Sequence, residues 1–190
     1  MVSNPCTDKL TDFEYLQHMI PHHVVAIDMS ELLMKESDNP YMLDISRNII
    51  KKQQYEIWEM EIVKKSLHFP LFPDIKGEID KNITTMDFYE PLQSSATGKC
   101  DPNFFKPNEH AKHMLHKKIT DENYLQHMIP HHQVAVDMSK RLLLHTNNSY
   151  LLHFCRKLIV DQQGEITLMN NLLNSTLKYK SDIIYSSKDP

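Results

Sequence analysis

Apolar residues recur along this chain at three- and four-residue spacing, and histidines interrupt them in a regular way. On a helix turning about one hundred degrees per residue, Tyr15, His18, His22, Val25, Met29 and Leu33 fall on one stripe. His23 and Met19 form a neighbouring i, i+4 pair between Leu16 and Ile27. The spacing predicts a helix from Asp12, as its capping residue, to about Glu36. Ser37 to Pro40 supplies a turn and a proline suited to start a second helix. On that second helix Met42, Ile45, Ile49, Glu56, Met60, Val63 and Leu67 share a face. Pro21 lies inside the first helix, where a kink or a fresh helix start is expected because proline removes a backbone donor and crowds the preceding turn.

The same pattern returns 109 residues later. Asp12 to Ser30 reads DFEYLQHMIPHHVVAIDMS and Asp121 to Ser139 reads DENYLQHMIPHHQVAVDMS, with fifteen of nineteen positions identical. Tyr41 to Met60 and Tyr150 to Met169 align at that same offset with nine of twenty identical. The shared positions there include Gln53/Gln162, Glu56/Glu165 and Met60/Met169. One module of helix, turn and helix is therefore used twice, over residues 12–67 and 121–180, with Pro130 in the place of Pro21 and a second turn at Thr146 to Ser149. The connector, residues 68–118, holds five prolines and a polar run from Ser94 to Lys99, and is expected to wrap or cover one end. Two such hairpins predict an all-α fold. The expected architecture is a four-helix bundle of ferritin-like type, built from two repeated helical hairpins with a long connector and forming one domain over residues 1–190.

Composition agrees with helices, since only three of the 190 residues are glycine. A net charge of −4 gives no basis for broad phosphate contact, so no nucleic-acid partner is expected. No apolar run is long enough to span a membrane, and no membrane partner is expected. The first ten residues lack a basic stretch followed by an apolar one, so an intracellular setting is expected. Cys6, Cys100 and Cys155 are odd in number and form no CxxC, which indicates no disulfide framework. Homodimerisation is left open.

Histidine and methionine change the picture, with 12 and 11 copies. In the first module His18, His22, His23, Met19 and Met29 lie among apolar residues, not on the polar face; in the second His127, His131, His132, Met128 and Met138 do the same. On the second helix of each module Glu56 and Met60, or Glu165 and Met169, face the same side as neighbouring isoleucines. Burying imidazoles and carboxylates costs stability unless they are paired, and a metal ion would offset that cost. Histidines at i, i+4 can share an ion. Imidazole with thioether favours copper, as Cu(I) or Cu(II), with zinc and iron ranked behind it. Taken singly, an inward histidine is more often a hydrogen-bonded core residue and a striped methionine more often packing. The case rests on the joint pattern, because the more diverged second-helix block still keeps Gln, Glu and Met in register. His110, His113 and His116 in the connector, spaced by three, read better as a solvated face than as a second metal patch.

With HMIPHH followed by AIDM or AVDM, and QQxEIxxM further on, the chain resembles domain-of-unknown-function family 305, a ferritin-like family. The resemblance covers both modules. It implies a four-helix bundle and copper binding, with His22, His23, Met29, Glu56 and Met60 and their counterparts His131, His132, Met138, Glu165 and Met169 as ligands; members are commonly exported. Two rivals stand against copper sequestration. A di-iron oxidase needs carboxylates and ExxH pairs, and neither module contains ExxH. A metal-free structural or interaction bundle would keep its stability in chelator. No catalytic constellation is readable, so the chain is not expected to be an enzyme.

Overall fold

The computed structural model describes residues 3–68, 100–108 and 118–186. Most of the connector, with His110, His113 and His116, lies outside the described residues. Four helices account for most of the rest: α1 (Asp12–Glu36), α2 (Pro40–His68), α3 (Asp121–Leu143) and α4 (Ser149–Ser186). A short 3-10 helix, Pro102–Phe105, stands between the hairpins. No strand occurs among the described residues. The all-α, four-helix architecture expected from the periodicity is the one found.

The caps explain where the helices begin. Thr11, not Asp12, caps α1: its hydroxyl accepts from the Glu14 backbone N–H and the Glu14 carboxylate accepts from that of Thr11. Thr120 does the same for α3, with Asn123 in the place of Glu14. Pro40 opens α2, where a missing N–H costs nothing. Asn148 Oδ1 accepts from the backbone N–H groups of Tyr150 and Leu151 at the start of α4.

Neither inner proline ends its helix; α1 runs unbroken through Pro21 and α3 through Pro130. The carbonyl that each proline leaves without a helical donor belongs to Gln17 or Gln126, both exposed, so water can satisfy it. No new helix starts at either proline.

Each hairpin packs internally, α1 on α2 and α3 on α4, and the two meet where α1 crosses α3. Two buried hydroxyl pairs fix that crossing. The hydroxyls of Tyr15 and Ser139 lie 2.7 Å apart and those of Ser30 and Tyr124 2.8 Å apart. The early part of α1 thus meets the later part of α3 and the reverse, so the helices run antiparallel. Midway between the two pairs come His22 and His23 on α1 and His131 and His132 on α3.

Apolar clusters lie on either side of that midpoint. One contains Met19, Met60 and Met138 with Leu16, Phe104, Leu151 and Leu158. The other contains Met29, Met128 and Met169 with Leu33, Met42, Ile49 and Leu125. Met138 of the second hairpin thus joins Met19 and Met60 of the first, and Met29 joins Met128 and Met169. Burying each such side chain contributes about 1.5–3 kcal/mol, so the methionines have a packing role whatever else they do.

A disulfide joins Cys6 to Cys100, with Cα atoms 6.0 Å apart. This corrects the expectation drawn from cysteine number. Spacing in sequence does not reveal a bridge between residues 94 positions apart; that needs the two Cα atoms within bridging distance. Cys155 is free and buried. Among the described residues no helix is long and apolar enough to cross a membrane.

Candidate metal centre

The crossing of α1 and α3 buries four imidazoles completely: His22, His23, His131 and His132. The rings of His22 and His131 stack across it, centroids 3.6 Å apart and 27° from parallel. His23 lies 6.2 Å from His22, and His132 lies 6.1 Å from His131, centroid to centroid. Both ring nitrogens of His22 and of His131 lack a hydrogen-bond partner, as do Nδ1 of His23 and Nδ1 of His132. Such vacancies are rare in a folded core and each costs free energy.

Charge follows from this burial. His22 is held well below its ordinary pKa of 6.5, first by burial and then by the neighbouring imidazoles His23 and His132. His131 is likewise held well below it, by burial and then by His22 and His127. Both rings are neutral at physiological pH, and neutral imidazole is the metal-binding form.

Glu56 and Glu165 lie behind the other two rings. Nε2 of His23 is 2.9 Å from Glu56 Oε2, and Nε2 of His132 is 2.9 Å from Glu165 Oε2. Lysines of the opposite hairpin hold the remaining oxygens: Lys157 Nζ is 3.3 Å from Glu56 Oε1 and Lys52 Nζ is 3.1 Å from Glu165 Oε1. Burial alone would raise both carboxyls, but the hydrogen bond from the histidine, with the charge and hydrogen bond of the lysine, brings each below its ordinary range. Asp161 Oδ2 bridges the two ammonium groups, 3.2 Å from Lys52 and 3.3 Å from Lys157.

The 3-10 helix covers one side of the stack. Phe104 packs edge-on to His131 and to His127, each with centroids 5.0 Å away, and Phe105 lies 5.2 Å from His22. The Cys6–Cys100 bond ties this segment to the N-terminal residues. His18, half-buried, places Nε2 3.0 Å from Ser3 Oγ and its ring 6.0 Å from Phe105. Burial lowers its pKa, against the pull of Glu14.

The fourteen residues singled out from sequence thus occupy three settings. The structure gathers His22, His23, His131 and His132, with Glu56 and Glu165 against the latter ring of each pair and His18 and His127 beside the phenylalanines. The six methionines are divided between the two apolar clusters. Among the described residues no three His, Cys, Asp or Glu side chains are gathered closely enough to hold an ion as they stand. Sequence reasoning missed Lys52, Lys157 and Asp161, which are not matched between modules, and the Tyr–Ser pairs, which are. It also missed Phe104 and Phe105, for which the sequence offers little beyond the preceding Pro102.

A helical bundle with paired imidazoles at its central crossing defines the class. The family model described as Domain of unknown function (DUF305) matches residues 12–173. The chain belongs to the DUF305 family. CopM in its Cu(I)-bound form has a similar fold, with TM-score 0.63 and 24% identity, over 87% of this chain and 97% of that one. A DUF305 fragment from Deinococcus radiodurans gives TM-score 0.56 and 24% identity over 89% of this chain and 97% of that one. An uncharacterized protein of Acanthamoeba polyphaga mimivirus is 39% identical over 56 residues, 30% of this chain. That match spans 37% of the viral protein's length.

Proposed function

We propose that this protein binds and sequesters a soft metal ion, copper(I) before others, at the crossing of α1 and α3. The observation that carries this reading is the set of six ring nitrogens on His22, His23, His131 and His132 that are buried without a partner. Neutral imidazole lone pairs enclosed by apolar side chains suit a weakly hydrated ion better than a hard one. A d10 ion accepts two or three donors, so a shift of the stacked His22 and His131 rings is enough to admit it between the halves. The thioethers of Met19, Met29, Met60, Met128, Met138 and Met169 flank this point and extend the soft donor set. CopM, similar in fold, is known in Cu(I)-, Cu(II)- and silver-bound forms, which supports the choice of ion. The Cys6–Cys100 bond lasts where thiols are not kept reduced. It supports action in an oxidising setting over the intracellular one expected from the N-terminus.

The test is anaerobic Cu(I) titration. The parent should bind tightly and saturably, and the variant His22→Ala with His131→Ala should lose most of that binding while keeping its helical content. Equal binding in the two proteins refutes the site. That no three donors are gathered among the described residues favours one other reading, a metal-free structural bundle. Its signature is a melting temperature that neither copper nor chelator moves. The di-iron alternative fares worse, because both oxygens of Glu56 and of Glu165 are already engaged.

A further inference from the structure

An unbroken run of polar contacts joins the two outer histidines of the crossing. It leads from His23 through Glu56, Lys157, Asp161, Lys52 and Glu165 to His132, every step between 2.9 and 3.3 Å. Each carboxylate is spanned, one oxygen on an imidazole Nε2 and the other on a lysine from the opposite hairpin. Nδ1 on the far side of each ring is buried and has no partner. An ionised carboxylate only accepts, so Nε2 carries the proton.

We propose that Glu56 and Glu165 are positioning residues and not ligands: each holds its histidine as the Nε2–H tautomer, leaving Nδ1 as the one ring atom open to an ion. The lysine on the second oxygen keeps the carboxylate from swinging inward. The centre therefore offers nitrogen and sulfur and withholds oxygen, which selects soft ions over hard ones. This inference rests on the ion-binding reading of the same site, and it changes the role given to the two glutamates from their sequence pattern.

The experiment uses the full chain labelled with 15N-histidine and silver(I) as a diamagnetic probe. In metal-free protein, long-range 1H–15N spectra should show the proton of His23 and of His132 on Nε2. Glu56→Gln with Glu165→Gln, made together with Lys157→Met and Lys52→Met so that no second donor competes for the amide oxygen, should keep that tautomer and bind silver within a few-fold of the parent. Glu56→Leu with Glu165→Leu should lose the tautomer preference and weaken silver binding by about 10–100-fold. If the leucine variant fails to fold, the parent and the glutamine variant still decide. A proton on Nδ1 in the parent overturns the proposal, as does a glutamine variant that loses silver by more than tenfold, which marks the carboxylates as ligands. If no imidazole responds to silver in any protein, the ion-binding reading itself fails. The metal-free tautomers then report separately on whether the glutamates orient the rings.

Discussion

Replacing His22 and His131 together by leucine should make the metal-free protein more stable. The stacked rings bring four buried nitrogens with no partner to the centre of the bundle. Each neutral ring carries one unpaired N–H, and a buried donor left unsatisfied costs about 1–3 kcal/mol, so two rings cost about 2–6 kcal/mol. Leucine, close to imidazole in volume, removes that cost. Loss of the ring–ring contact returns about 0.5–1.5 kcal/mol, and imperfect repacking about 1 kcal/mol. The net gain is about 2 kcal/mol, which at a urea slope of about 2 kcal/mol per molar moves the unfolding midpoint up by about 1 M. The assay is urea unfolding followed by far-ultraviolet circular dichroism in the presence of a chelator. Adding silver at a hundredfold excess over its dissociation constant should reverse the order, because binding stabilises the parent by about 2.7 kcal/mol and the variant has lost most of its site. A chelated variant less stable than the parent by about 1 kcal/mol or more would refute the reasoning, since the rings would then be satisfied by partners that leucine cannot replace.

Acid should destabilise the metal-free protein in two stages. His22 and His131 sit well below 6.5, so below that value the unfolded chain takes up more protons than the native one; stability is complete above it and is lost as pH falls. Glu56 and Glu165, held below 4.5, add a further loss in the same direction at more acid pH. A urea midpoint at about pH 5 equal to or above that at about pH 7.5 contradicts this. Reducing the Cys6–Cys100 bond, which closes a separation of 94 residues, should cost about 2–4 kcal/mol and lower the melting temperature by roughly 4–16 °C. In denaturant without reductant a thiol reagent should count one reactive cysteine, Cys155; a count of three means the bridge does not form. Tyr15→Phe should destabilise by about 1–2 kcal/mol, by removing the partner of the Ser139 hydroxyl at the core; an unchanged urea midpoint would mean that contact contributes nothing.

The helices and their inward faces were legible because period and repetition both report them: Tyr15, His22, Met29 and Leu33 share a stripe in sequence and are buried in the fold. The crossing was legible only as residue types. That His22 would stack on His131, and that Met138 would share a cluster with Met19 and Met60 of the other hairpin, depends on how the hairpins dock, which no local spacing encodes. Glu56 and Glu165 read as inward polar residues, and they are, but their lysine partners come from the other hairpin through positions that the two modules do not share. Gln53 and Gln162 were in register and inward by pattern, and both are buried with side-chain oxygens that have no partner. The inner prolines start no new helix, since the carbonyls of Gln17 and Gln126 can be hydrated where they stand. The disulfide was invisible for want of any signal tying residue 6 to residue 100.

Lys52 and Asp161 hold the same place in the two modules, 109 residues apart, and they touch each other, 3.2 Å from ammonium to carboxylate. A position that meets its own counterpart lies on the axis relating the halves. A molecule assembled from two copies of the first half would set lysine against lysine there, and one assembled from two copies of the second would set aspartate against aspartate. Either self-pairing would bring like charges together beside the glutamates that hold His23 and His132. The two halves are complementary in charge where these two residues meet.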